Sequence, residues 1–135
     1  MKSPKDQIFK KEICFRPIGV VENEFFEPAK PDEMRATESR IVLRSDLVEA
    51  LDGMQPGQKL FVLFFFHRSD HGPLMQHPRG DESRAKRGVF MLRSPNRPNP
   101  IGLTEVELIK TDHNVLHVRG LDAIHDSPVL DIKPA

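Results

Sequence analysis

Residues 87–103 have the sequence RGVFMLRSPNRPNPIGL, in which a short apolar run is followed by a turn rich in proline, asparagine and arginine. The apolar residues 89–92 predict a strand. Proline fixes its own φ, lacks an amide hydrogen and keeps the preceding residue out of the helical region. Pro95, Pro98 and Pro100 therefore exclude a helix and predict a stiff, extended loop.

Two arginines stand within this stiff loop. Arg93 and Arg97 each carry a planar set of donors that suits a carboxylate, a phosphate or a nucleobase. Asn96 and Asn99 adjoin prolines and tolerate turn geometry. A rigid loop that displays cations favours a binding site, and the other interpretation is a well-formed turn with solvated arginines.

The composition describes one neutral, globular chain. With 135 residues we expect a single domain covering residues 1–135, in which residues 1–12 form a loosely ordered end. Twenty basic and twenty acidic residues cancel, which excludes a global field that would draw the protein to nucleic acid or an anionic membrane. The charges are uneven locally, because residues 79–97 hold six arginines and lysines but only two carboxylates.

Cysteine use and apolar patterning indicate the compartment. A single cysteine, Cys14, excludes an internal disulfide, and the first residues have no apolar signal core. The longest apolar run, residues 60–66, is much shorter than the ~18 residues that would span a bilayer. We therefore expect a soluble, cytoplasmic protein with no membrane segment.

Short strands separated by turn residues dominate the rest of the chain. The apolar run at residues 60–66 predicts a fully buried strand, since three successive phenylalanines favour a strand over so short a helix. Ser45 as an N-cap and Gly53 as a stop predict one helix of about two turns. Further strands are predicted at residues 13–21, 40–44, 104–109, 115–121 and 129–132. This pattern indicates a mainly β fold, an antiparallel barrel or sandwich with one short helix and long loops.

A long polar loop at residues 67–86 holds three histidines. His67, His71 and His77 could bind zinc as neutral imidazoles. The loop contains prolines, offers no helical face and matches no metal signature, so solvated histidines are favoured and no metal is expected. His67 differs because it ends the phenylalanine strand, where either a general base or a strand-capping role fits.

Near the end of the chain, Asp131 and Lys133 occupy alternate positions of an apolar strand. Alternation places their side chains on one face, opposite that of Leu130 and Ile132. The two residues form either a surface ion pair of little energetic value or an acid and a base beside a substrate. The residues alone do not separate these interpretations.

Three segments resemble a known family. Phe65-Phe66-His67, the motif at residues 87–103 and the run PVLDIKP at residues 128–134 resemble the TsaA-like family, over about residues 16–134. Its characterised members are S-adenosylmethionine-dependent methyltransferases that act on N6 of threonylcarbamoyladenosine in tRNA. The resemblance implies a single-domain antiparallel β-barrel, a homodimer, S-adenosylmethionine held near the subunit junction, and tRNA as the substrate.

The resemblance also implies which residues contact the cofactor. These are Phe66, His67, Arg93, Leu103 and the loop His125, Asp126, Ser127 and Pro128, with a further contact at Met34, Arg35 and Ala36. Relatives commonly have Asp-Gly-Thr-Pro at residues 125–128, so Asp126 stands where a glycine would favour a tight turn. Relatives continue after Lys-Pro with a tyrosine, where this chain has Ala135.

Methyl transfer to a nitrogen that bears a carbamoyl group requires alignment and the removal of a proton. His67 and Asp131 are the candidate bases, and Arg97 and Lys133 are expected to hold a carbonyl or carboxylate of the substrate. The basic surplus at residues 79–97 suits tRNA phosphates. Two other functions compete: a noncatalytic S-adenosylmethionine- or RNA-binding barrel and, ranked below it, a metal-dependent hydrolase built on the three histidines.

Overall fold

Six strands close into an antiparallel barrel in the computed structural model, which describes residues 4–135. In chain order the strands of the structure are β1 (Gly19–Glu22), β2 (Glu38–Leu43), β3 (Lys59–Phe65), β4 (Met75–Gln76), β5 (Arg87–Gly88), β6 (Ile101–Asp112), β7 (Val115–Arg119) and β8 (Pro128–Pro134). The order around the barrel is β1-β2-β7-β6-β3-β8, and β4 pairs with β5 in a separate small sheet. Closure leaves few free strand edges, so short strands suffice for a stable sheet.

The barrel core follows from the alternation along each strand. On β3 the side chains of Leu60, Val62 and Phe64 point inward and are buried, while Lys59 and Phe65 point outward and are exposed. The prediction that this strand is buried on both faces is wrong, because a barrel strand turns only one of its faces to the core. Other inward side chains include Val21, Ile41, Leu108, Leu116, Val118 and Val129.

A close approach between β3 and β6 sets the packing at one end of the core. A Cβ atom built on Gly102 would lie 2.4 Å from Cζ of Phe64. The buried Phe64 ring therefore occupies the space that any larger residue at position 102 would need.

The helical segments are short. The short helix predicted between Ser45 and Gly53 is the 3-10 segment Ser45–Leu51. Residues 4–135 also contain two five-residue α-helices, α1 (Pro4–Ile8) and α2 (Pro31–Arg35), and the 3-10 segments Pro78–Gly80 and Val89–Met91. The N-cap prediction for Ser45 is wrong: Ser45 is already helical, and Arg44 precedes it without a side-chain cap. α2 begins with Pro31, since the first helical position needs no amide hydrogen.

One predicted strand, at residues 89–92, is not a strand, and another, at residues 13–21, begins later than expected. Residues 89–92 turn into a 3-10 segment because only Val89 finds a buried position, while Phe90 and Met91 remain exposed. The first strand begins at Gly19 rather than at residue 13. Pro17 has no amide hydrogen for a ladder, and its carbonyl instead accepts a hydrogen bond from Arg44 Nη1 at 3.0 Å.

The N-terminal segment lies outside the core. No side chain of α1 is buried. The first three residues of the predicted loosely ordered end lie outside the described residues. Among residues 4–135, no helix has the length and apolar composition needed to cross a bilayer.

Candidate functional site

The predicted cofactor contacts converge at one end of the barrel, which we call the loop end. Because the strands are antiparallel, β1, β3 and β7 end there and β2, β6 and β8 begin there. Residues 34–36 precede β2, residues 66–67 follow β3, Arg93 precedes β6, and residues 125–128 lead into β8. Leu103 is the third residue of β6. The topology thus brings together five segments that are widely separated in the sequence.

The loop at residues 125–128 is held rigidly against the end of β1. The His125 amide donates to the Phe25 carbonyl at 2.7 Å, and the Asp126 amide donates to the Val21 carbonyl at 2.8 Å. The His125 ring lies 4.6 Å from the Phe26 ring, centroid to centroid. Ser127 is buried. The loop therefore has a defined shape before any ligand arrives.

Asp126 occupies the backbone conformation that a glycine would favour. Its φ is +70°, in the left-handed region. Among non-glycine residues, aspartate and asparagine tolerate this region best. The departure from the Asp-Gly-Thr-Pro pattern therefore keeps the tight turn at a cost in backbone strain.

His67 presents an unsatisfied atom at the loop end. Its Nδ1 is buried and has no hydrogen-bond partner within the described part of the chain. The preceding Phe66 is fixed by its amide, which donates to the Pro100 carbonyl at 2.8 Å, and by an edge-on contact with Phe64 at 5.0 Å between ring centroids. A buried polar atom without a partner costs free energy, so this nitrogen is suited to a ligand.

The two arginines of the stiff turn have different surroundings. Arg93 is exposed and donates from Nη1 to the Leu103 carbonyl at 3.1 Å. Arg97 is half-buried and donates from Nη1 to the Leu92 carbonyl at 2.9 Å and the Ser94 carbonyl at 3.3 Å. Arg97 thus stabilises its own turn, whereas the Arg93 guanidinium keeps donors at the surface beside Leu103.

The segment at residues 34–36 divides between core and surface. Met34 is buried, while Arg35 and Ala36 are exposed. Arg35 forms an ion pair with Asp122 at 3.3 Å, and Asp122 also accepts a short hydrogen bond from the Thr104 hydroxyl. Arg35 and Ala36 are therefore the members of this segment that are open to solvent.

Asp131 and Lys133 lie on the outer face of the barrel. Asp131 pairs with Leu63, and Lys133 pairs with Phe61. Their side chains are about half exposed and joined by an ion pair of 3.0 Å. Asp131 is thus engaged with Lys133, and no hydrogen bond or ion pair joins it to His67 among residues 4–135.

The three histidines do not form a metal centre. His71 Nδ1 contacts the Pro98 carbonyl at 3.2 Å, and His77 Nδ1 contacts the Arg84 carbonyl at 2.7 Å. Among residues 4–135, no group of three histidine, cysteine, aspartate or glutamate side chains could hold a metal ion. The hydrolase hypothesis loses its site.

Comparison with known protein families decides the family of the chain. The family model described as tRNA-methyltransferase O N-terminal domain matches residues 20–135. The chain belongs to this family. The resemblance to the TsaA-like family and the predicted β-barrel are both confirmed.

Proteins similar to this chain include one of about the same length and two longer ones. A probable S-adenosyl-L-methionine-binding protein of Methanothermobacter thermautotrophicus is 42% identical over 126 residues, covering 91% of this chain and 90% of that protein. The tRNA (adenine(37)-N6)-methyltransferase of Rattus norvegicus is 36% identical over 133 residues, covering 90% of this chain and 30% of the rat protein. A crystal structure of TrmO matches with a TM-score of 0.71 and 31% identity, covering 93% of this chain and 56% of that chain. The chain therefore corresponds to part of the two longer proteins.

Sequence reasoning missed Asn23, which connects several segments at the loop end through hydrogen bonds. Asn23 is buried, and its Nδ2 donates to Ser39 Oγ at 3.1 Å and to the Ala123 carbonyl at 2.8 Å. Its Oδ1 accepts from the Phe25 amide at 3.0 Å. The available signal was the position of Asn23 directly after the first predicted strand and Glu22, but Glu22 and Glu24 on either side of it are typical of a solvated loop.

Proposed function

We propose that this chain is an S-adenosylmethionine-dependent methyltransferase that acts on N6 of threonylcarbamoyladenosine in tRNA. The convergence of the predicted cofactor contacts on the loop end, around the unsatisfied His67 Nδ1, carries this proposal. The names of the similar proteins, one binding S-adenosylmethionine and one methylating adenine in tRNA, support it. A tRNA substrate also favours a cytoplasmic location.

The residues at the loop end fit S-adenosylmethionine chemically. Phe66 supplies an apolar aromatic surface, and His67 Nδ1 is a buried polar atom that needs a partner. The exposed Arg93 supplies donors, and Arg35 with Ala36 and residues 125–128 would complete the walls. When bound there, the cofactor supplies a methyl group on a sulfonium sulfur.

The chain's own contribution to the reaction is alignment and proton removal. The turn at residues 93–100 and the loop at residues 125–128 are both held by internal hydrogen bonds, so little ordering is needed when the substrate binds. His67 is the proposed base, because its buried Nδ1 has no hydrogen-bond partner among residues 4–135 and lies at the loop end. Arg97 would hold a carbonyl or carboxylate of the substrate with the donors that its bonds to the Leu92 and Ser94 carbonyls leave over.

Asp131 and Lys133 enter this scheme through a proposed homodimer. Phe65, Ile101 and Leu103 are exposed and lie side by side on the outer face of β3 and β6, next to Asp131 on β8. An apolar patch rimmed by charges is typical of a protein–protein interface. A dimer through this face would bury the patch and place the Asp131–Lys133 pair at the subunit junction.

Transfer of a labelled methyl group tests the proposal. Purified protein, labelled S-adenosylmethionine and tRNA with or without threonylcarbamoyladenosine are combined, and label should enter only the modified tRNA. We expect His67→Ala to lower the single-turnover rate by roughly 10²–10⁴-fold at saturating cofactor. Asp112→Asn, at an exposed position on β6, is the matched control and should leave the rate unchanged.

The same experiment separates the competing functions. Binding of S-adenosylmethionine by calorimetry without any methyl transfer would indicate the noncatalytic barrel instead. Full activity of both His67→Ala and Asp131→Asn would exclude them as bases, and the proton would then have to leave by another route.

A further inference from the structure

A small hairpin beside the barrel displays two apolar side chains to solvent. β4 and β5 pair through Met75 with Gly88 and Gln76 with Arg87, and the 3-10 segment Val89–Met91 follows directly. Phe90 and Met91 are 80% and 79% exposed. Burial of such exposed apolar side chains by a bound partner is favourable, so they often mark an interaction site.

The backbone that carries these side chains is fixed. Val89 is buried, and its amide donates to the Leu74 carbonyl at 2.8 Å. The Leu92 amide donates to the Val89 carbonyl at 3.0 Å, which closes the turn. Phe90 and Met91 therefore stand on a rigid base and need little ordering before they bind a partner.

The hairpin is also attached to the turn that leads into the loop end. Gln76 Nε2 donates to the Pro73 and Asn96 carbonyls, both at 2.7 Å. The Asp70 amide donates to Asn96 Oδ1 at 3.2 Å. These bonds join the hairpin to the turn that carries Arg93 and Arg97, so a molecule bound on the hairpin lies beside the proposed methylation site.

Cations and a cavity adjoin the exposed apolar pair. A cavity of about 230 Å³ is lined by Pro78, Arg84, Ala85, Arg87, Met91 and Leu92. In the described part of the chain, neither Arg84 nor Arg87 takes part in a salt bridge, although the Arg84 charge acts on Asp81 and Arg87 Nη1 donates to the Lys86 carbonyl at 3.2 Å. Exposed aromatic and apolar side chains interleaved with cations are the surface that single-stranded nucleic acids require.

We propose that Phe90 and Met91 form a stacking platform for an unpaired RNA base, with Arg84 and Arg87 holding the adjacent phosphates. The inference rests on the proposed function in one respect: the RNA is the tRNA substrate, and the stacked base belongs to a nucleotide near the methylated adenosine. Proteins recognise RNA mainly at unpaired loops, where bases can be splayed onto aromatic side chains.

A second copy of the chain is the competing occupant of this surface. Residues 79–97 carry six basic residues against two acidic ones. A two-fold contact between copies would place this positive surface against itself, which costs electrostatic free energy. The same surplus of positive charge attracts a polyanion, so RNA is the favoured partner of the hairpin. The second copy is then expected to bind at the outer face of β3 and β6.

Binding of a fluorescent single-stranded RNA and of tRNA to the full chain tests the platform. We expect Phe90→Ala to weaken RNA binding about tenfold or more. Phe90→Tyr, which retains an aromatic face, should bind RNA as tightly as the unmodified protein. Arg87→Gln should lower the slope of log affinity against log salt by about 0.7–0.9, the loss of one phosphate contact. Phe9→Ala removes an equally exposed phenylalanine outside the hairpin and serves as the control.

The outcomes keep this inference separate from the proposed function. If the unmodified protein fails to methylate tRNA but Phe90→Ala still weakens RNA binding, the platform stands and the methylation proposal fails. If Phe90→Ala binds RNA within twofold of the unmodified protein, the platform is wrong whatever the activity. A Phe90→Ala protein that changes oligomeric state in sedimentation without changing RNA affinity would assign the surface to a second copy.

Discussion

The backbone amide of Asn23 donates a hydrogen bond to Nδ1 of His125, 3.2 Å away and 102 residues later in the chain. An amide can only donate, so Nδ1 must be the unprotonated ring nitrogen and the proton must reside on Nε2. Nε2 lies 3.3 Å from Asp126 Oδ1. The Asn23 amide therefore fixes both the position and the tautomer of His125, a residue of the proposed cofactor loop.

Asn23→Ala is expected to destabilise the protein by about 1–3 kcal/mol, because the Ala123 carbonyl and the Phe25 amide would lose their buried partner. Urea unfolding measures the change. Gln55→Ala, at an exposed position, should change stability by less than about 0.5 kcal/mol. Equal stability of the two variants would show that Asn23 does not organise the loop end.

The left-handed backbone at Asp126 predicts opposite effects for two small substitutions. Asp126→Ala should lower stability by about 1 kcal/mol, since alanine is strained at a φ of +70°. Asp126→Gly should match or exceed the stability of the unmodified protein, because its exposed contact with His125 has little energetic value. Thermal unfolding of both variants checks the order, and a more stable Asp126→Ala would contradict the backbone assignment.

Gly102→Ala should destabilise the barrel by about 1–3 kcal/mol through overpacking against the Phe64 ring. Gly88→Ala is the matched control, because a Cβ there would have no atom within 4 Å. Gly102→Ala should cost less in a Phe64→Leu background than in the unmodified protein, since the smaller side chain vacates the space. An equal cost in both backgrounds would show that the clash with Phe64 is not its origin.

The proposed dimer face predicts a monomer when its apolar character is removed. The double variant Phe65→Ser with Ile101→Ser should sediment as a monomer at concentrations where the unmodified protein is dimeric. Phe15→Ser removes another exposed phenylalanine, outside this face, and should leave the dimer intact. A protein that is monomeric without any substitution would refute the dimer.

The stability of the turn at Asp81, between β4 and β5, is expected to depend on pH. Hydrogen bonds from the Ser83 hydroxyl at 2.6 Å and the Ser83 amide at 3.0 Å hold the pKa of this carboxyl below its usual 3.8, with smaller help from the Arg84 charge. A lowered pKa stabilises the turn above pH 3.8, and that contribution is lost as the pH falls through the lowered pKa. NMR titration should show the low pKa, and Ser83→Ala should raise it toward 3.8.

Local residue chemistry was enough for much of the architecture. Alternation predicted the strands around residues 104–109 and 115–121, since burial of one face depends only on spacing along the chain, and short apolar runs predicted those around residues 40–44 and 129–132. The prolines of residues 93–100 predicted a stiff turn, because their effect on φ is covalent. The TsaA-like resemblance rested on motifs within these same segments.

Local residue chemistry could not predict features that depend on neighbours distant in the sequence. Residues 89–92 have the composition of a strand, yet the ladder beside them ends at Gly88 and only Val89 finds a buried position. Whether Asp131 and Lys133 face a site or the outside depends on β3, which pairs with β8 from more than sixty residues earlier in the chain.

The residue order thus specified a β-rich chain, its stiff cationic turn and its family, because periodicity, proline and short motifs act locally. The closed barrel decided which of the candidate residues meet: it gathered residues 34–36, 66–67 and 125–128 at the loop end and left Asp131 on the outer face. It also placed the Asn23 amide against His125 and left His67 Nδ1 with no hydrogen-bond partner in the part of the chain that the structure describes. These outcomes depend on strand register around a closed sheet, a property of the whole chain.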